Sequence, residues 1–215
     1  LFSILDIFVK EKNLKILDAG CGTGMLMLEL KKYGDVAGID VSDEALGYCK
    51  KRGLINLKKA SIENLPFKEN TFDLVTSIDV IYHKEVKSDV KALQEINRVL
   101  KKDGLAIIQV AAYNFMLSNH DKLVHTQRRY TKKELENKLK QAGFKIEKIT
   151  YANTVLFPLA LIKRLLERKN SKSELKKMPK LINLILTNIL YLEAKIIKSI
   201  NLPFGLSIIC LTKKQ

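Results

Sequence analysis

The stretch KILDAGCGTG, residues 15–24, constrains this chain more than any other. A short apolar run ends in three glycines, and MLMLELKKY (25–33) then repeats apolar residues at helical spacing. A buried strand (15–20) that turns through glycine into a helix brings backbone N–H groups and a helix N-terminus against a ligand with no Cβ in the way. Such strand–turn–helix units build open α/β sheets, whose ligands sit at the carboxyl ends of the strands.

The rest of the chain keeps the alternation. DVAGID (35–40) reads as a second strand, and SDEALGYCKKRG (42–53) as a helix capped by Ser42 and stopped at Gly53. Strands are expected at 55–62, 72–80 and 104–112, with a Ser88-capped helix at 88–104 before the last of them. After a polar loop (113–130), Thr131 and Glu134 form a capping box for a helix over 131–142, and a sixth strand covers 144–152. Two helices (154–168 and 179–200) then interrupt the pattern around a polar linker, RKNSKSELKKMP (168–179), before a final strand at 205–214. The expected fold is α/β: a doubly wound, mostly parallel seven-stranded sheet with a helical insert. Residues 1–153 and 203–215 would form one domain, with 154–202 inserted into it.

The glycine turn departs from a dinucleotide fingerprint. Gly20 and Gly22 fill the first two positions of GxGxxG/A, but the last falls on bulky Met25, and Gly24 lies one place early. Asp18 stands two residues before the first glycine, where a pyrophosphate gains nothing and an ammonium group is favoured. Asp40 ends the second strand, where a carboxylate accepts from both ribose hydroxyls. A ribose, little phosphate and a cationic amino-acid part together describe S-adenosylmethionine. Competing readings are a purely structural strand–helix corner, a helix-capping Asp40, and an Asp18 paired with a lysine.

Several segments in order resemble the class I S-adenosylmethionine-dependent methyltransferases, in particular the ubiquinone/menaquinone group. LDAGCGTG is similar to that family's first motif and GIDVSDEAL to its second. ASIENLPFKENTFDLVTSIDVIYH is similar to the third and fourth, and EINRVLKKDGLAIIQV to the helix and strand that follow. Coverage runs from about residue 14 to 152, with 205–214 as the family's final, antiparallel strand. The resemblance implies S-adenosylmethionine as cofactor and S-adenosylhomocysteine as product. It places Asp18, Gly20, Cys21, Gly22 and Gly24 around the methionine half, Asp40 on the ribose, and Val41 and Ile62 against the adenine. Asp79 and Val80 would line the methionine side. Ser61 stands where many relatives have an Asp that contacts the adenine amino group, which implies either a lower cofactor affinity or Glu63 as the substitute partner.

Methyl transfer from a sulfonium needs alignment above all, with a general base for some acceptors. His125 is a candidate base beside Arg128, Arg129 and Tyr130, which would position an acceptor from the loop, and His83 either faces the substrate or braces its own loop; the alternative is a solvated loop whose arginines pair with helix carboxylates. A metal site from His120, Asp121 and His125 is disfavoured, so no metal is expected.

The formal charge of +15 comes from 32 Lys against six Arg, spread over nearly every helix. Nucleic-acid faces cluster charge, favour Arg and interleave aromatics, which are 7% here with no Trp, so no nucleic-acid partner is expected. Three scattered cysteines without a CxxC pair fit a reduced, cytoplasmic setting, and LFSILDIFVKEKN does not read as a leader. The insert is too apolar for a helix with one core-facing side. It reads as a lid, a homodimer interface, a peripheral membrane contact at the inner face or a plain extension of the core. The expected function is methylation of a small-molecule, lipid- or glycan-linked acceptor, at oxygen. A non-catalytic cofactor-binding scaffold and a dinucleotide oxidoreductase are the alternatives.

Overall fold

The computed structural model describes Leu5 and residues 13–118, 121, 123–166 and 179–215. Seven strands form one sheet in the order β3-β2-β1-β4-β5-β7-β6. β1 (Leu14–Ala19) pairs in parallel with β2 (Gly34–Asp40) and β4 (Phe72–Ile78). β3 (Leu57–Lys59) joins β2, and β5 (Leu100–Ala111) joins β4, also in parallel. β7 (Ser207–Lys214) runs antiparallel between β5 and β6 (Phe144–Ala152). The doubly wound α/β sheet with a reversed last strand is therefore present.

Helices cover both faces. α1 (Met25–Leu30) and α2 (Asp43–Lys51) bury Met27, Leu30 and Cys49 against Ile16, Leu74 and Ile107. α3 (Asp89–Val99) and α4 (Lys132–Gln141) bury Leu93, Ile96, Leu135 and Leu139 against Val75 and Ile108 on the other face. Each such side chain contributes about 1.5–3 kcal/mol. The expected caps are in place: Ser42 accepts from the Ala45 amide, Ser88 from Lys91, and Thr131 with Glu134 closes a capping box.

Two boundaries differ from expectation. The helix expected over 88–104 ends at Val99, and β5 begins at Leu100. Residues 101–104 loop out because Leu100 pairs with Phe72 while Leu105 already pairs with Leu74, and Asp103 takes φ 64°. KKDG is thus a bulge inside the strand. The third strand shrinks from 55–62 to three residues because it is the sheet's outer edge, where Ile55 is 94% exposed.

The insert supplies α5 (Phe157–Leu166) and α6 (Lys180–Ser199). Most of the linker between them, 167–178, lies outside the described residues. α6 is fastened to the end of β6. The buried Glu193 carboxylate accepts the amides of Asn153, Thr154 and Val155, and Ile197 enters the core beneath β7.

Candidate functional site

The three glycines of the turn are needed for three different reasons. Gly20 (φ +91°) presses on the end of β4, where a Cβ would stand 2.3 Å from Val80. Gly24 (φ +81°) is the N-cap of α1, and a Cβ there would meet Leu54 at 2.4 Å and the Cys49 sulfur at 2.9 Å. Gly22 (φ +51°) has nothing within 4 Å of its Cβ position, so its backbone faces open space. Only this last glycine leaves room for a ligand to approach the chain.

That space belongs to a cleft of about 300 Å³ at the C-terminal edge of β1, β2 and β4. Ligand pockets run from ~300 to 1,000 Å³, so it suits a slender molecule. Gly20, Gly22, Asp40, Val41, Ser61 and Ile62 line it together with Asp79, Val80 and His83. Asp40 is held in place from both sides. One carboxylate oxygen accepts the Gly22 amide at 2.8 Å and the other the Ser42 amide at 2.9 Å. Each oxygen keeps a lone pair for a further donor. Val41 and Ile62 offer apolar surface to a flat ring.

Of the other expected cofactor residues, Gly24, Cys21, Asp18 and Glu63 are not among the cleft's lining residues. Cys21 is buried 4.0 Å from the Cys49 sulfur, both thiols are free, and burial pushes both up, away from the thiolate form. Glu63 accepts the amides of Lys87 and Ser88 at 3.0 and 2.9 Å, which ties it to the loop before α3. Ser61 in turn accepts from the Glu63 amide.

Asp18 sits near the end of β1, 2% exposed. One oxygen accepts from the Thr76 hydroxyl at 2.8 Å, and the other is buried without a hydrogen-bond partner. Burial pushes its carboxyl up to about 7, against the Thr76 bond, and the Asp40 charge adds to the rise. A buried acceptor left open is costly unless a donor or a positive charge meets it. An adenosine carrying a cationic amino-acid group is compatible with the residues present: Asp40 offers lone pairs for hydroxyls, Val41 and Ile62 apolar surface for the base, and the buried Asp18, outside the cleft's lining, an oxygen still without a donor.

Positive-φ residues other than glycine stand at the strand ends along this edge, of which Asp79 lines the cleft. Asp79 takes φ 61° directly after β4, while Tyr113 and Asn153 do so after β5 and β6, at the same sheet edge. Left-handed non-glycine residues cost of order 1–3 kcal/mol each and gather at functional sites. Asp79 accepts from Gln109 at 3.1 Å, and burial raises its carboxyl despite hydrogen bonds from Gln109 and Tyr82.

His83 and His125 meet edge to face, with ring centroids 5.6 Å apart. The loop brings them together by pairing with the segment after β4: Lys84 N–H donates to His125, and Gln127 N–H to Tyr82. Burial, with His125 second, lowers the His83 pKa. His83 Nδ1 accepts the Glu85 amide at 3.3 Å, so the neutral ring carries its proton on Nε2. His83 thus presents a donor, while His125 is exposed.

Arg128, Arg129 and Tyr130 point into the protein rather than into the cleft. Arg129, 8% exposed, donates twice to Asp121 (2.6 and 2.9 Å) and once to the Ala112 carbonyl. The Tyr130 hydroxyl donates to Asp89 at 2.7 Å, and Arg128 donates to Val86 while pairing with Asp89 at 3.5 Å. These side chains hold the loop to the end of β5 and to α3, which uses the forks expected for an acceptor. His120 lies outside the described residues, and no metal-binding cluster occurs among the described ones. Sequence reasoning missed Ile39, Ala60, Ile78, Glu85 and Val86 in the lining, and nothing in their local pattern marks them as site residues.

Known proteins resemble this chain in sequence and in fold. A family profile described as a methyltransferase domain matches residues 17–108. An uncharacterized protein of Methanocaldococcus jannaschii is 30% identical over 176 residues, 66% of this chain and 68% of that protein. The demethylmenaquinone methyltransferase of Staphylococcus aureus is 37% identical over 111 residues, 45% of this chain and 43% of that enzyme. The chain thus spans about two thirds of the first relative's length and less than half of the second's. A crystal structure of an S-adenosylmethionine-dependent methyltransferase from Mesorhizobium loti superposes with a TM-score of 0.66 at 16% identity, covering 98% of this chain and 95% of that one.

Proposed function

The chain belongs to the class I S-adenosylmethionine-dependent methyltransferases, whose cofactor is S-adenosylmethionine, and from that premise we propose that it methylates a small or lipid- or glycan-linked acceptor at oxygen. The observation that carries the reading is the bare Gly22 backbone opposite an Asp40 carboxylate fixed by two amides on one cleft. When bound, S-adenosylmethionine supplies an activated methyl group on a sulfonium. The chain's own part is to hold and align. Asp40 accepts ribose hydroxyls, Val41 and Ile62 sandwich the base, and Asp18 receives the ammonium. At the acceptor side the Nε2–H of His83 donates to the acceptor's oxygen, and His125 beside it takes the proton that the oxygen loses. Arg128, Arg129 and Tyr130 act by holding the loop that carries His125.

The small-molecule part of the reading draws on the cleft's size and on the S. aureus relative, whose name describes a quinone precursor. Among the described residues no helix is long and apolar enough to cross a membrane. A cytoplasmic protein is the setting we infer, from three buried free thiols.

Calorimetric titration tests the cofactor: S-adenosylmethionine should bind and NAD should not, and binding of NAD alone would overturn the reading. An acceptor screen should release S-adenosylhomocysteine. Tight cofactor binding with no product from any acceptor would favour the scaffold alternative. Asp40→Ala should weaken S-adenosylmethionine binding by roughly 1–3 kcal/mol, the cost of leaving buried hydroxyls unpaired. Unchanged affinity would remove Asp40 from the ribose site.

A further inference from the structure

α6 presents a face that the other described residues leave uncovered. Glu193 and Ile197 fasten one side of the helix, whereas Leu184, Tyr191, Leu192 and Ile196 on the other sides are about half exposed or more. Leu159 and Ile162 of α5 are likewise exposed. Cations stand among these apolar groups. Lys195 and Lys198 are exposed on α6, and the Lys195 ammonium lies 4.6 Å from the centre of the Tyr191 ring. In the sequence, residues 154–202 carry ten Lys or Arg against three Glu, and Glu193 is buried and bonded inward.

We propose that this face docks in the plane of an anionic membrane surface. An interfacial helix buries its apolar side at the headgroup boundary while lysines reach anionic lipids, which is the pattern of α6. A second copy of the chain is the poorer match. A two-fold contact brings the same patch against itself, so Lys195 and Lys198 would face their own counterparts in a chain of formal charge +15. Aromatic rings extend the apolar surface from the insert to the cleft's edge of the sheet. Phe204 touches Phe157 at 5.6 Å, Phe157 touches Tyr113 at 5.5 Å, and Tyr113 touches exposed Phe115 at 5.2 Å. Docking by α6 therefore sets that edge near the lipid.

The test is co-sedimentation of the full chain with phosphatidylcholine vesicles, with and without phosphatidylglycerol, at low and high salt. No cofactor or acceptor is present, so the outcome is independent of the methyltransferase reading. The chain should pellet with the anionic vesicles, much less with the neutral ones, and lose binding as salt rises. K195E/K198E should weaken binding about fivefold or more per lysine. L192E/I196E should weaken it more than about tenfold. Retained thermal melting and circular dichroism confirm folding, and K195E/K198E keeps the test alive if the apolar variant misfolds. No pelleting with either vesicle, or binding that neither variant changes, overturns the proposal. So does a dimer in light scattering that L192E/I196E turns into a monomer.

Discussion

Asp18→Asn should leave the cofactor-free protein more stable than the parent at pH 8 and about equal to it at pH 5. The buried carboxyl titrates near 7 in the folded chain and near 3.8 unfolded. Between those values the folded state holds a proton that the unfolded state has released, so stability falls as pH rises and levels off above about 7. Three pKa units correspond to about 4 kcal/mol. Asn recovers part of that, because its amide must still be buried near Thr76. The measurement is the unfolding midpoint of both proteins across pH 5–8. A difference that stays constant with pH would show that Asp18 carries no such penalty. Cofactor affinity should move the other way. The parent should bind S-adenosylmethionine more tightly as pH rises through 7, because the carboxylate becomes the ammonium's partner, whereas Asn should bind weakly at every pH. The residue that destabilises the empty protein is thus the one that the ligand requires.

Arg129→Met should be the more damaging change to the fold. Arg129 and Asp121 have side chains 8% and 2% exposed, and Asp121 also accepts from the Ser118 amide and hydroxyl and pairs with Arg164 of α5 at 3.3 Å. Removing one member of a buried pair costs about 3–5 kcal/mol, and because Arg164 and Ser118 stay beside Asp121 the loss should lie at the lower end of that range. For a chain of this size that lowers the melting temperature by roughly 10 °C. Arg129→Lys should fall between, because an ammonium cannot reproduce the fork that reaches both Asp121 and the Ala112 carbonyl. A fork waiting for an anionic acceptor predicts another result: little change in melting and a large loss of turnover. Thermal unfolding of the Met variant separates the two.

Local pattern was enough for the elements whose signals are local. The apolar runs at β1, β4 and β5, the caps at Ser42, Ser88 and Thr131 and the glycine turn all stand where their chemistry placed them. The site was legible where it depended on one strand end each: Gly22, Asp40, Val41 and Ile62 meet on one cleft because a parallel sheet aligns those ends. What escaped depended on partners distant in sequence. Nothing near Glu63 says that it will be bound by the amides of 87 and 88, and nothing near Arg129 announces Asp121 as a buried partner. Polar residues in a loop look alike until the fold decides which of them lose water. The bulge at 101–104 escaped for a similar reason. A lysine pair before Asp-Gly continues a helical charge pattern just as well as it turns a strand.

The reversed strand has a consequence for how the chain is made. Among the described residues β7 is the one strand that pairs with β6, and it is the last of the seven in sequence although it lies inside the sheet. During synthesis β6 and both insert helices emerge before β7 exists. The flank of β5 and the whole of β6 must then wait with open hydrogen-bonding edges. A late strand that slides between two waiting edges is a long-range step, slow to find and exposed to mispairing until it is complete. Glu193 shortens the search by tethering α6 to the end of β6, so the connection that leads into β7 starts beside the gap it must fill.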